Sequence, residues 1–195
     1  MKIIGLTGGI GSGKTAASIY IAQKGYPVVD ADEISREITA KGAEALNAVA
    51  EMFGKDLLLP DGGLDRKGLA AIVFSDEGKR RQLNALLHGR IGAKINETLA
   101  HLRETGAKTV FVSAPLLLET GMQDGLDAVW LLDAPETLRL DRVRQRDGAT
   151  AEEIQRRMAA QMPEAEKRAL ADAVIDNSGD PAALYRRIDA LLDAL

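Results

Sequence analysis

Gly8-Gly9-Ile10-Gly11-Ser12-Gly13-Lys14-Thr15 fits the pattern G-x-x-x-x-G-K-S/T at every fixed position, and its flanks decide the fold. Ile3-Ile4-Gly5-Leu6-Thr7 before it is a short apolar run that reads as a buried strand, and Thr15 to Ala22 after it reads as a helix. Between a strand and a helix, successive backbone N–H groups turn inward and form a nest for anions. Glycine permits this because no Cβ obstructs the backbone torsions or the phosphate. Gly9, Gly11, Ser12, Gly13 and Ala16 are therefore expected to line a nucleoside triphosphate. Lys14 is expected to reach its β- and γ-phosphates, and the Thr15 hydroxyl to ligate Mg²⁺ with waters.

Four later segments have strand character: Pro27 to Asp30, Thr109 to Ser113, Ala128 to Leu132 and Ala173 to Ile175. Their apolarity is nearly continuous rather than alternating, as in a parallel sheet covered on both faces. With the first strand they predict an α/β fold, a five-stranded parallel sheet with helices on both faces. Nearly eighty residues separate Asp30 from Thr109, far more than one crossover helix requires, so a helical subdomain is inserted there. Its expected helices are Glu44 to Phe53, Lys67 to Phe74 and Glu77 to Glu104, with Pro60-Asp61-Gly62-Gly63 as a turn. Pro135 opens a helix that Asp147-Gly148-Ala149 ends, Thr150-Ala151-Glu152-Glu153 is a capping box for another, and Asp180-Pro181 caps the last.

The bulk numbers narrow the function. The 195 residues suffice for one α/β domain with insertions. A net charge of −4 and a pI near 5.3 argue against a general nucleic-acid surface, and 4% aromatic content argues against a base-stacking platform. There is no cysteine, so neither disulfides nor thiolate metal sites arise. No apolar run approaches the ~20 residues of a membrane span, and the first strand begins at once, so a cytoplasmic protein is expected.

A phosphate loop does not by itself choose between a kinase, a GTPase and a transporter ATPase. No Asn-Lys-x-Asp guanine reader and no Leu-Ser-Gly-Gly-Gln signature is present. Asp65-Arg66-Lys67-Gly68 matches Asp-x-x-Gly, but no apolar strand precedes it, which makes it a chance match. The helical insert and an arginine-rich helix point to a small-molecule kinase, whose insert binds the acceptor and whose arginine-rich segment closes over ATP. Asp30 and Asp32 follow the second strand, at the end of the sheet where ligands bind. Asp32 is assigned to the chemistry, as base for the acceptor hydroxyl or as a Mg²⁺ partner through water, and Asp30 to structure. Arg139, Arg142 and Arg146 share one helix face, and Arg142 and Arg146, nearest the Gly148 break, are assigned to phosphate. For Asp133 two readings stand, a Mg²⁺-linked carboxylate or a contact with the following helix start. His88 and His101 have no metal-ligand partner at useful spacing.

Over nearly its whole length the chain resembles the dephospho-coenzyme A kinase family. The resemblance rests on Gly5 to Thr15, Val29-Asp30-Ala31-Asp32, Phe53-Gly54, Asp61 to Arg66 and Val73-Phe74. It continues through Pro115-Leu116-Leu117-Leu118-Glu119, Arg142, Arg146-Asp147, Gln161 and Ala171 to Asn177. It implies ATP-dependent phosphorylation of the ribose 3′-hydroxyl of dephospho-coenzyme A, with Mg²⁺ accompanying ATP. It implies a core over 1–40, 105–138 and 170–195, an acceptor-binding insert over 41–104 and a lid over 139–169. By resemblance Asp32, Arg66, Pro115 and Leu116 meet the acceptor, Lys14 and Arg142 join Asp32 in catalysis, Arg142 and Arg146 lie on the lid side, and Asn177 lies near the adenine of ATP. The partners are then small molecules, and the chain a monomer or weak homo-oligomer. The chain departs from the family pattern at His88-Gly89, where the family has His-Pro, at Arg139, where it has Gln, and at Ser113-Ala114, where many members carry an Asp. Another small-molecule or nucleoside monophosphate kinase of the same fold, or a nucleotide-dependent switch without acceptor chemistry, is the alternative.

Overall fold

The computed structural model describes residues 1–195 and resolves into two compact units, residues 1–29 with 102–195, and residues 30–101. The strands are β1 (Lys2–Thr7), β2 (Val28–Asp30), β3 (Thr109–Ser113), β4 (Ala128–Asp133) and β5 (Ala173–Asp176), in the spatial order β2-β3-β1-β4-β5. The β1–β3, β1–β4 and β4–β5 pairs are parallel, with Leu6 beside Ser113 on one side and beside Trp130 on the other. All five expected strands are present within a residue or two of their expected ends.

The strand order places the phosphate loop. After β1 the chain crosses toward β2 on one side, whereas after β4, its neighbour, it continues outward to β5 on the other. The crevice beyond the carboxyl ends of β1 and β4 is the topological switch point, where ligands bind in open α/β sheets. The loop Gly8 to Gly13 leaves β1 there and feeds α1 (Lys14–Gln23). From β4 the chain feeds α6 (Glu136–Asp147), followed by α7 (Ala151–Ala159), α8 (Glu164–Leu170) and, beyond β5, α9 (Pro181–Leu192).

Side-chain alternation divides the sheet into two buried faces. Ile4, Leu6, Phe111, Trp130, Leu132 and Ile175 pack against Ala17 and Ile21 of α1 and Leu184, Ile188 and Leu192 of α9. Phe111 stacks edge-on between Tyr26 and Trp130, at centroid distances of 5.8 and 5.1 Å. The opposite face presents Gly5, Val110, Val112, Val129 and Leu131, all buried. A Cβ on Gly5 would lie 2.6 Å from Leu126 and 2.8 Å from Leu117, so only glycine lets those leucines lie against β1. Burial on both faces is why these strands read as continuous apolar runs.

The second unit is helical. α2 (Ala31–Ile38), α3 (Glu44–Phe53), α4 (Arg66–Ser75) and the greater part of α5 (Glu77–Glu104) build it around Leu46, Val49, Leu57, Leu69, Val73 and Leu87. The expected turn is present, with Leu58 bridged to Leu64 and the Asp61 carboxylate accepting from Gly63 N–H at 2.8 Å. Asp65 caps α4 by accepting from Gly68 N–H at 3.0 Å, so the Asp-x-x-Gly match is a helix cap. The capping box at Thr150 and Glu153 forms in both directions. Pro135 is the residue before α6 rather than its first helical residue. Helix α8 was not expected. Pro163 just ahead, acidic residues in its first turn and Lys167 and Arg168 in its last are the signals that mark it.

Candidate active site

Between β1 and α1 the loop is held open by its glycines. Gly11 and Gly13 have φ of +80° and +100°, a region that side chains with a Cβ rarely occupy. A Cβ on Gly8 would lie 2.6 Å from the Leu132 carbonyl, and one on Gly13 would collide with Asn177. Helix α1 begins at Lys14, so N–H groups of its first turn have no intrahelical carbonyl and face the loop's concavity, with Thr15 and Ala16 exposed there. The Ser12 hydroxyl is buried without a hydrogen-bond partner. Four features therefore converge on one place: a helix start, a nest of N–H groups, an orphaned hydroxyl and a cation. That is the chemistry of a polyphosphate site.

Lys14 is docked rather than dangling. Its Nζ donates to Ser113 Oγ at the end of β3 at 2.8 Å, and Ser18 Oγ of α1 donates to the same oxygen at 3.1 Å. Ser113 is wholly buried. The departure from the family pattern at this position thus places a hydroxyl, not a carboxylate, beside the loop lysine. Pro115 and Leu116 follow in the half-buried turn beyond β3. Glu119, the last residue of that motif, accepts from Met162 N–H at 3.0 Å and forms an ion pair with the fully buried Lys167 at 2.9 Å. A buried pair of this kind fixes the segment leading into α8, since removing either partner strands a charge.

From the other side the loop meets α6 and the residue after β5. Asn177 Nδ2 donates to the Ser12 carbonyl at 2.7 Å. Arg142 donates to the Asn177 carbonyl at 3.0 Å and, more weakly, to the Gly11 carbonyl at 3.5 Å. Arg139, one turn earlier, is buried and pairs with Glu164 at 2.5 Å. Ile10 N–H donates to Gln161 Oε1 at 2.9 Å. The structure thus brings Arg142 and Asn177 to the loop. Arg146 lies at the end of α6, where its guanidinium binds Asp147 at 2.6 Å. That bond, with Arg157 alongside, holds the Asp147 carboxyl below its usual range. The Asp133 carboxylate accepts from Arg168 and is buried. His88 and His101 are exposed on α5.

In the second unit, the Asp30 carboxylate accepts from Asp32 N–H at 2.8 Å and Glu33 N–H at 3.2 Å, and so caps α2. Its structural assignment follows from that. Asp30→Ala is expected to lower stability by about 1 kcal/mol, read from urea unfolding. An unchanged midpoint would remove the capping role. Asp32 sits in the first turn with its side chain exposed, and Arg36 lies one turn further along the same face. Arg66 donates to Thr39 Oγ1 at 2.9 Å and to the Arg36 carbonyl at 3.2 Å. Burial, and after it the charge of Arg36, lower the Arg66 pKa. Ser113, Glu119, Glu164 and Lys167 in the first unit, and Arg36 in the second, are residues that sequence reasoning did not single out for chemistry.

A family model described as dephospho-CoA kinase matches residues 2–182. The dephospho-CoA kinase of Anaeromyxobacter dehalogenans is 43% identical over 192 residues, covering 98% of this chain and 91% of that one. A solved structure from Thermus thermophilus is 36% identical, with a TM-score of 0.82 over 100% of this chain and 97% of the other. The solved dephospho-CoA kinase of Campylobacter jejuni is 30% identical, with a TM-score of 0.70 over 99% and 96%. With its P-loop kinase fold, its phosphate site at the switch point and these likenesses along its length, the chain belongs to the dephospho-coenzyme A kinase family.

Proposed function

We propose that this chain transfers the γ-phosphoryl group of ATP to the ribose 3′-hydroxyl of dephospho-coenzyme A, giving ADP and coenzyme A. The observation that carries the reading is the phosphate loop, with Lys14 set by Ser113 and the start of α1, in a chain of this family. The acceptor oxygen attacks phosphorus as the bond to the β-phosphate oxygen breaks, and ADP leaves. Asp32 takes the hydroxyl proton. Lys14, Arg142 and the loop N–H groups stabilise charge on the transferring group and the leaving phosphate, which is most of what a protein contributes to phosphoryl transfer. Arg146 meets phosphate from the end of α6, and Asn177 braces the loop near the adenine end.

Mg²⁺ fits the donors present. The chain has no group of three carboxylates, histidines or cysteines that could enclose a metal. Mg²⁺ in kinases keeps several waters and binds one or two protein oxygens with the substrate phosphates. The exposed Thr15 hydroxyl, beside Lys14 in the first turn of α1, suits that role, and the ion would neutralise phosphate charge there.

The acceptor side falls to the insert over 41–104 together with Asp32, Arg66, Pro115 and Leu116, and the lid to residues 139–169. The sheet and phosphate loop suffice for ATP, so the helical unit calls for a second ligand. No helix is long and apolar enough to cross a membrane. A cytoplasmic monomer or weak homo-oligomer acting on two small molecules fits the absence of cysteine and the modest net charge.

An acceptor screen tests the reading. Stoichiometric ADP formation is expected with dephospho-coenzyme A, and none above background with nucleoside monophosphates. Turnover of a nucleoside monophosphate would make the chain a different kinase of this fold. Slow hydrolysis indifferent to every acceptor would make it a nucleotide switch. Hydrogen exchange adds the location: dephospho-coenzyme A should protect amides between Gly42 and Glu104 and around Asp32, and ATP with Mg²⁺ those of Gly8 to Ala16 and Arg139 to Gln161.

A further inference from the structure

Arg139 and Glu164 form an ion pair directly on the phosphate loop. A Cβ on Gly9 would collide with both Arg139 Nη1 and Glu164 Oε1, and one on Gly11 would come within 2.5 Å of the Arg139 carbonyl. The pair therefore lies against the bare α-carbon of Gly9, a residue of the phosphate loop. It is incompletely satisfied, since Arg139 Nε and Glu164 Oε2 are both buried without hydrogen-bond partners. It is also asymmetric: the Arg139 side chain is 7% exposed and that of Glu164 24%. The Glu164 side chain reaches the surface, and that of Arg139 hardly does. Three residues before Glu164, Gln161 places an amide oxygen on Ile10 N–H, another loop donor of the kind a phosphate oxygen uses. Gln161 thus supplies an oxygen to a loop N–H, and Glu164 a carboxylate oxygen to Arg139 beside Gly9.

The geometry points to Arg139 as a further catalytic residue: with ATP bound, its guanidinium exchanges the Glu164 carboxylate for oxygens of the terminal phosphoryl group. Glu164 is the stand-in for that group until ATP binds. The exchange replaces one carboxylate by a more highly charged phosphate, and the planar fork of the guanidinium matches either. It leaves the buried cation paired throughout, which matters because an unpaired buried guanidinium is the costly state. Glu164 moves to solvent, and Gln161, close by in the same segment, releases Ile10 N–H with it. No covalent step is added to the reaction.

The inference rests on ATP being the phosphoryl donor, so the test measures nucleotide binding without acceptor. Calorimetry with Mg²⁺ compares ADP with a non-hydrolysable ATP analogue on the full chain. Arg139→Gln should weaken the analogue by about tenfold, the scale of a lost hydrogen bond to a charged group, while ADP changes less than about twofold. Arg139→Lys should recover only part, lacking the fork. Glu164→Gln should tighten the analogue several-fold, because the guanidinium is then released at no cost. Arg139→Gln alone strands Glu164 and could loosen the fold. The double variant Arg139→Gln/Glu164→Gln carries neither charge, and it should show the same loss of preference for triphosphate. A wild-type ratio of the two affinities in the folded double variant would overturn the inference. If the wild-type chain bound no ATP analogue, this inference and the kinase reading would both fall. If the Arg139 effect held while dephospho-coenzyme A went unphosphorylated, only the acceptor assignment would fall.

Discussion

Replacing Lys14 by alanine is expected to lower kcat by on the order of 10³-fold, the largest effect of any single substitution at this site. In the proposed reaction the ammonium is a point charge delivered to the β- and γ-phosphates, where negative charge accumulates as the phosphoryl group passes between oxygens. Its position is fixed before ATP arrives, since Ser113 accepts from Nζ at 2.8 Å and Ser113 is itself held by Ser18. Little reorganisation is then needed during the reaction, which is what makes a preplaced charge effective. The fold should hardly register the change. Lys14 is half-buried at the edge of the loop, and the hydrogen bond lost is worth about 1 kcal/mol. Steady-state kinetics beside a thermal melt decide the matter, and near wild-type kcat with an unchanged Tm would remove Lys14 from the mechanism. Ser113→Ala should be far milder, because it loosens the lysine without removing the charge.

The parts of this molecule that were legible in the sequence are those written locally. The loop at Gly8 to Thr15 follows from spacing alone. The five strands follow from continuous apolar runs, because two-sided burial leaves no polar position to interrupt them. The long helix Glu77–Glu104 was legible at both ends although few of its side chains are buried. Partner choice was not legible. Arg139 and Glu164 are 25 residues apart, and nothing local distinguishes an arginine that will be buried against Gly9 from Arg144, exposed on the same helix. Arg139, Arg142 and Arg146 share a face by spacing, yet one is buried with Glu164, one braces the loop and one binds Asp147. Helical periodicity gives the direction a side chain leaves its helix, but not what the fold brings to meet it. Lys167 is the extreme case: a lysine of ordinary helical context that folding buries completely against Glu119.

The pair Asp30 and Asp32 shows where local and tertiary information meet, and Asp32→Asn is the second large expected effect. Asp30 ends β2 and Asp32 follows it, and a capping residue is needed there because α2 starts at once. Asp30 meets that need through two backbone N–H groups, which commits its oxygens to structure. Asp32 does not cap, and it stands exposed in the first turn of α2, the residue proposed to meet the acceptor hydroxyl. Asn keeps the size and the helix start but cannot take a proton, so kcat should fall by about 10²-fold or more. ATP affinity should change little, because the role proposed for the residue is on the acceptor. Asp30→Asn is the control, since Asn caps about as well as Asp and should leave kcat near wild type. Rapid-quench measurement of coenzyme A formation in one turnover separates chemistry from product release. A greater loss in Asp30→Asn than in Asp32→Asn would exchange the two roles. Equal, small losses in both would move the proton acceptor elsewhere, and attack would then proceed with the proton passing to a phosphate oxygen or to water.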